Sequence, residues 1–92
     1  MADREMNSIG RILALVLRHA PEKFNVDMDL NGWVNAKDLS FSIQEKRRGF
    51  HWLRPWHLNA IADTDEKGRY QMEGDMIRAT YGHSIELELD LP

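Results

Sequence analysis

This sequence predicts a small α+β domain, because three helical segments come first, two short strands flank a Glu-Gly-Asp turn, and an alternating strand closes the chain. Its 92 residues suffice for one modest core, 42% hydrophobic and 29% charged, the composition of a soluble globular chain. There is no cysteine. That excludes a disulfide framework, a thiol nucleophile and a cysteine zinc site. No apolar run approaches the roughly 20 residues needed to span a bilayer, and Met1 to Glu5 does not lead into a signal peptide. A monomeric cytoplasmic protein without membrane contact is the expectation.

Ile9, Ile12, Leu13, Val16, Leu17 and Ala20 recur on one helical face, and Pro21 blocks continuation, so the first helix is expected over 5–19. Arg18 and His19 then fall in the last turn, where a helix favours positive charge. Met28, Leu30, Trp33 and Val34 surround the turn-like Asn31-Gly32 and suggest a short extended segment. Asn35 is a good N-cap for the second helix, with Val34 and Leu39 as its hydrophobic staple. Lys46-Arg47-Arg48-Gly49 is expected to close that helix, with glycine at C′.

Pro55 suits the first position of a third helix, whose apolar stripe is Leu58, Ile61 and Ala62. Residues 69–72 and 76–80 flank Glu73-Gly74-Asp75 and read as a hairpin with a three-residue turn. Ile85, Leu87, Leu89 and Leu91 alternate with acidic residues, which predicts a final strand with one apolar face. The expected core is Ile9, Leu13, Val16, Leu17, Trp33, Leu39, Leu58, Ile61 and Ile77. Three helices followed by a hairpin is the order of a winged-helix domain.

Charge is uneven. Residues 1–60 carry nine Lys and Arg against seven Asp and Glu, whereas residues 61–92 carry three against eight. The third helix offers only Arg54, His57 and Asn59 before it turns acidic, so major-groove reading by it is not expected. The four histidines, His19, His51, His57 and His83, lack zinc-site spacing, and the glycines stand singly rather than as a phosphate loop. Neither a metal nor a nucleotide loop is predicted. His83 and Ser84 are neighbours that a strand would turn to opposite faces, so they do not form a nucleophile and its base.

What remains is a set of arginines: Arg18 beside His19, Arg69 before Tyr70, and Arg78 within Ile77-Arg78-Ala79-Thr80. Guanidinium groups gathered by a fold clamp phosphate, because their planar forks match its oxygens. The plainer alternative is that Arg18 satisfies a helix end and Arg69 pairs with Asp65 or Glu66. If the first helix packs on the hairpin, Tyr70 and Met72 face the core, Arg69 projects from the other face, and Arg18, His19 and Arg69 share one surface. Trp52 and Trp56 are open to three readings: core, a base-stacking surface, or a contact with another lobe.

The blocks Leu13-Ala14-Leu15-Val16-Leu17-Arg18-His19-Ala20-Pro21-Glu22, Gly32-Trp33-Val34, Leu39, Lys67-Gly68-Arg69-Tyr70 and Ile77-Arg78-Ala79-Thr80-Tyr81-Gly82-His83-Ser84 stand in that order. Together they resemble the N-terminal half of the KptA-type RNA 2′-phosphotransferases, from about Ile9 to Leu89. The first and last blocks in combination are specific, whereas either alone is weak. The resemblance implies an enzyme that transfers an internal 2′-phosphate of RNA, typically the splice-junction phosphate of tRNA, to NAD+. The products are repaired RNA, nicotinamide and ADP-ribose 1″,2″-cyclic phosphate. It further implies two lobes: a winged-helix-like RNA lobe matching residues 1–92, and an ADP-ribosyltransferase-like lobe, absent from this chain, that holds most of the NAD+. The isolated chain would then be inactive.

Carried over by that resemblance, Arg18 and His19 match an essential Arg-His pair, and Arg69 matches a second essential arginine. Arg78, His83 and Ser84 are implied as RNA or phosphate contacts, although Gly82-His83-Ser84 also reads as a turn into the last strand. The competing expectations are a stand-alone winged-helix module that binds nucleic acid or regulates without catalysis, and a protein-interaction domain that uses the acidic final third.

Overall fold

The computed structural model describes residues 3–85, and within them the α+β class holds. Helix α1 runs Asp3–Ala14, α2 Ala36–Lys46 and α3 Pro55–Thr64, with strands β1 (Val34–Asn35), β2 (Tyr70–Glu73) and β3 (Met76–Ala79). The strands form one antiparallel sheet in the order β1-β3-β2. No described helix is long and apolar enough to cross a membrane. The expected final strand over 85–91 lies, but for Ile85, outside the described residues.

The first helix departs from its expected form where it matters most. Its stripe is buried as read, from Ile9 to Ala20, but from Leu15 to His19 the backbone widens into a π-turn. The Ala20 N–H donates to the Leu15 carbonyl, five residues back, at 2.8 Å. Pro21 cannot continue the helix and opens a 3₁₀ turn, Pro21–Phe24. Short π-segments of this kind commonly occur at functional sites, and here the segment carries Arg18 and His19.

Two local signals hold as read. The Asn35 side chain accepts the Asp38 N–H at 3.0 Å, and Val34 and Leu39 are both fully buried as a staple. Pro55 opens α3, where the Arg54 N–H donates to His57 Nδ1 at 2.8 Å. The C-terminal reading of α2 does not hold. Gly49 does not adopt the left-handed conformation. Instead Arg47 leaves the helix extended and a 3₁₀ turn, Arg48–Phe50, follows. This exit lets Leu53 enter the core and lets Phe50 and Trp52 pack against it.

The hairpin turn also differs, being Gly74-Asp75 alone, since Glu73 pairs with Met76. Gly74 has φ 60 at the first turn position, where a type II′ turn favours glycine. Strand β1 adds a third strand, placing Val34 opposite Ile77. The Asp75 carbonyl accepts the Ala36 N–H at 2.8 Å, which ties the hairpin turn to the start of α2.

The core gathers the expected residues and adds Phe24, Val26, Ile43, Leu53, Tyr70 and Ala79. Trp33 is an exception. It is half-buried, with the Arg78 guanidinium 4.3 Å from its ring centroid. Trp52 packs against the core, whereas Trp56 is 65% exposed and stacks on His57 at 3.7 Å between ring centroids.

Candidate functional site

The π-turn delivers Arg18 to a clasp formed by the segment after β3. The Ser84 N–H donates to the Arg18 carbonyl at 2.9 Å, capping a helix-end carbonyl that would otherwise lack a partner. Gly82 lies directly over the Arg18 side chain, and a Cβ there would sit 3.3 Å from Arg18 Cδ and Nε. Gly82 has φ 83, so glycine is needed for conformation as well as for space. The Tyr81 ring lies 4.9 Å from Arg18 Cζ, a cation–π distance.

Within this clasp Arg18 Nε and Nη2 are buried, and among the described residues neither has a hydrogen-bond partner. His83 Nε2 is in the same condition. Buried donors are paired in the great majority of native structures, and orphaning one costs on the order of 1–3 kcal/mol, more for a charged group. Arg18 Nε and Nη2 therefore carry donor capacity that no described residue satisfies. Burial pushes the His83 imidazole below its ordinary titration range, and the neighbouring Arg18 charge pushes it the same way. His83 is therefore held neutral at physiological pH.

Arg69 approaches from the other side. It precedes β2 instead of projecting from the far face of the sheet, and its guanidinium folds back onto Asp65, with Nη2 3.0 Å from Oδ1 and Nε 3.2 Å from both carboxylate oxygens. The Asp65 carboxylate also accepts the Arg69 N–H at 2.7 Å. These hydrogen bonds hold Asp65 below its ordinary pKa and raise that of Arg69. The plainer reading of Arg69 as a partner for Asp65 therefore describes a real contact. The side chain nevertheless remains 43% exposed.

Tyr70 links the two arginines. Arg18 Cζ lies 5.9 Å and Arg69 Cζ 6.0 Å from its ring centroid. Both side chains line one open cleft of about 440 Å³ between α1, the C-terminal end of α3 and Tyr70. Burial pushes the Tyr70 phenol above its ordinary pKa, so it stays neutral and donates to the Gly10 carbonyl at 3.3 Å.

His19 is exposed next to the clasp, with Nδ1 2.8 Å from Ser84 Oγ, and it does not line the cleft. Ser84 thus contacts His19 rather than its neighbour His83. Arg78 does not line the cleft either. It is 3% exposed, its Nε donates to Gln71 Oε1 at 2.9 Å, and its Nη1 donates to the Asn31 carbonyl at 3.1 Å. Sequence reasoning gave no role to Tyr81 or Arg11 and read Gly82 only as part of the Gly82-His83-Ser84 segment, without its seat on Arg18. A lone glycine just past a strand was the available signal for Gly82, and the position seven residues before Arg18 was the signal for Arg11. No group of three or more His, Asp or Glu that could hold a metal ion occurs among the described residues.

Comparison with known proteins bears on the family of the chain. A family model described as "RNA 2'-phosphotransferase, Tpt1 / KptA family" matches residues 3–91. A protein of Archaeoglobus fulgidus named "Probable RNA 2'-phosphotransferase 1" is 43% identical over 89 residues, covering 96% of this chain and 40% of that protein. "Probable RNA 2'-phosphotransferase" of Thermoplasma acidophilum is 40% identical over 93 residues, 100% of this chain and 39% of that protein. Its namesake in Methanosarcina acetivorans is 43% identical over 88 residues, 96% of this chain and 41% of that protein. This chain thus spans about two fifths of the length of these relatives. With the family model covering almost every residue, the chain belongs to the Tpt1/KptA family of RNA 2′-phosphotransferases.

Proposed function

We propose that this chain is the winged-helix-like, phosphate-recognising lobe of an enzyme that transfers an internal 2′-phosphate of RNA, such as the splice-junction phosphate of tRNA, to NAD+. The observation that carries the reading is that Arg18 Nε and Nη2 lack a hydrogen-bond partner among the described residues, on a side chain that lines one cleft with Arg69 beside Tyr70. A phosphate monoester supplies the missing acceptors, and its negative charge suits two guanidiniums. Arg18 and Arg69 bind and neutralise it. His19, with Nδ1 held by Ser84, has Nε2 left to exchange a hydrogen bond or proton with the phosphate.

NAD+ enters this proposal as a co-substrate that accepts the phosphate. The residues of this chain fit the phosphate rather than the dinucleotide, since the glycines stand singly and the cleft is walled by arginine. The work assigned here to Arg18, Arg69 and His19 is confined to binding, orienting and proton exchange at the phosphate oxygens.

The test is a titration of the chain with a short RNA bearing one internal 2′-phosphate and with its unphosphorylated twin. The phosphorylated RNA should bind more tightly. Arg18→Ala and Arg69→Ala should each cost that RNA about 1.5–3 kcal/mol and the twin much less. Equal affinity for the two RNAs, or substitutions that cost the phosphorylated RNA and its twin the same, overturns the proposal and favours a binding module that does not read the phosphate.

A further inference from the structure

The cleft extends well beyond the arginine pair. Asn7, Gly10, Arg11, Ala14 and Arg18 fall on one side of the first helix, and all of them line it. Thr64 and Asp65 contribute from the end of α3. Arg11 stands seven residues before Arg18, about 10 Å along the axis, within reach for two long side chains to grip phosphates of neighbouring nucleotides. Ala14 between them and Gly10 beside Arg11 keep the wall low, and a Cβ built on Gly10 would meet nothing within 4 Å.

Charge and size both point to a polyanion. Asp65 is paired with Arg69, and among the described residues neither Arg11 nor Arg18 on the wall has an ion pair. Among the described residues Arg11 is exposed and has no ion pair. A bare phosphate would leave most of the 440 Å³ empty. The volume instead falls in the range of about 300–1,000 Å³ typical of small-molecule and cofactor sites.

We propose that this groove seats the RNA strand itself, with Arg11 binding the phosphodiester that adjoins the 2′-phosphorylated nucleotide. The inference rests on the phosphate-recognising role of Arg18 and adds a second, backbone-reading contact. A phosphodiester contact fixes register without reading sequence, which suits an enzyme that must recognise a 2′-phosphate in a continuous chain.

The experiment compares two ligands, a short single-stranded RNA with one internal 2′-phosphate and the mononucleotide adenosine 2′-phosphate, on the wild-type, Arg11→Ala, Arg11→Lys and Arg18→Ala chains. Arg11→Ala should weaken the RNA about five- to tenfold and lower the slope of log affinity against log salt by about one. It should leave the mononucleotide unchanged, and Arg11→Lys should restore the slope. Arg18→Ala should weaken both ligands. If Arg18→Ala weakens both while Arg11→Ala leaves the RNA unchanged, or costs both ligands the same factor, the groove assignment fails and the phosphate site stands. If neither substitution affects the RNA, both fail.

Discussion

Ser84 Oγ lies 2.8 Å from His19 Nδ1, joining residues 65 positions apart, while the Ser84 backbone N–H holds the carbonyl of the adjacent Arg18. One residue after β3 therefore fixes both members of the Arg-His pair. The Ser84 hydroxyl can donate to Nδ1 or accept from it, so it anchors the His19 ring through Nδ1 in either tautomer.

Replacing Ser84 should loosen His19 without unfolding the chain, because the backbone contact to Arg18 survives in Ser84→Ala. In Ser84→Ala the Nδ1 chemical shift of the His19 ring should change as its hydrogen bond is lost, and Ser84→Thr should restore it. Identical ring shifts in wild type and Ser84→Ala would show that the hydroxyl does not orient His19.

Gly82 should not tolerate a side chain. In Gly82→Ala the methyl would press on Arg18 Cδ and Nε at 3.3 Å in a left-handed backbone at φ 83. Strain of this kind costs about 1–3 kcal/mol. Chemical denaturation should register that loss, together with weaker binding of a 2′-phosphorylated RNA. Unchanged stability and unchanged binding would remove Gly82 from the clasp.

His83 should set a pH dependence of stability. Its folded pKa is depressed, first by burial and then by the Arg18 charge, so below the unfolded value of about 6.5 the unfolded chain takes up the proton more readily. The stabilisation is complete above that pH and declines as the pH falls towards the folded value. His83→Gln should flatten this part of the profile, and phosphate bound at Arg18 should raise the His83 midpoint in an NMR titration. A folded-state midpoint at or above 6.5 would contradict the assignment.

On the proposed reading, in which Arg18, His19 and Arg69 serve the phosphate and NAD+ is held mainly elsewhere, the 92-residue chain alone should not turn over NAD+. Incubation with NAD+ and 2′-phosphorylated RNA should release neither nicotinamide nor ADP-ribose cyclic phosphate. Steady release of either by pure chain would overturn the division of labour between lobes.

Local signals were legible because the physics that sets them spans only a few residues. The stripe from Ile9 to Leu17 is buried because helical periodicity alone puts those side chains on one face. Asn35 caps α2 and Pro55 opens α3 through their own backbone chemistry. The resemblance, likewise, resides in ordered residue blocks. Gly49 misled because a residue near a helix end becomes a C′ cap only if the chain turns there, and the need to bury Leu53 and pack Phe50 and Trp52 sent it out extended instead. The hairpin turn was shorter than read because cross-strand pairing of Glu73 with Met76 decided its length. Only the tertiary structure brought β1 beside β3, seated Gly82 on Arg18, joined Ser84 to His19, and brought Arg18 to the Tyr70 ring that Arg69 also approaches. Each of these depends on contacts between segments dozens of residues apart, and local periodicity and propensity carry no information at that distance.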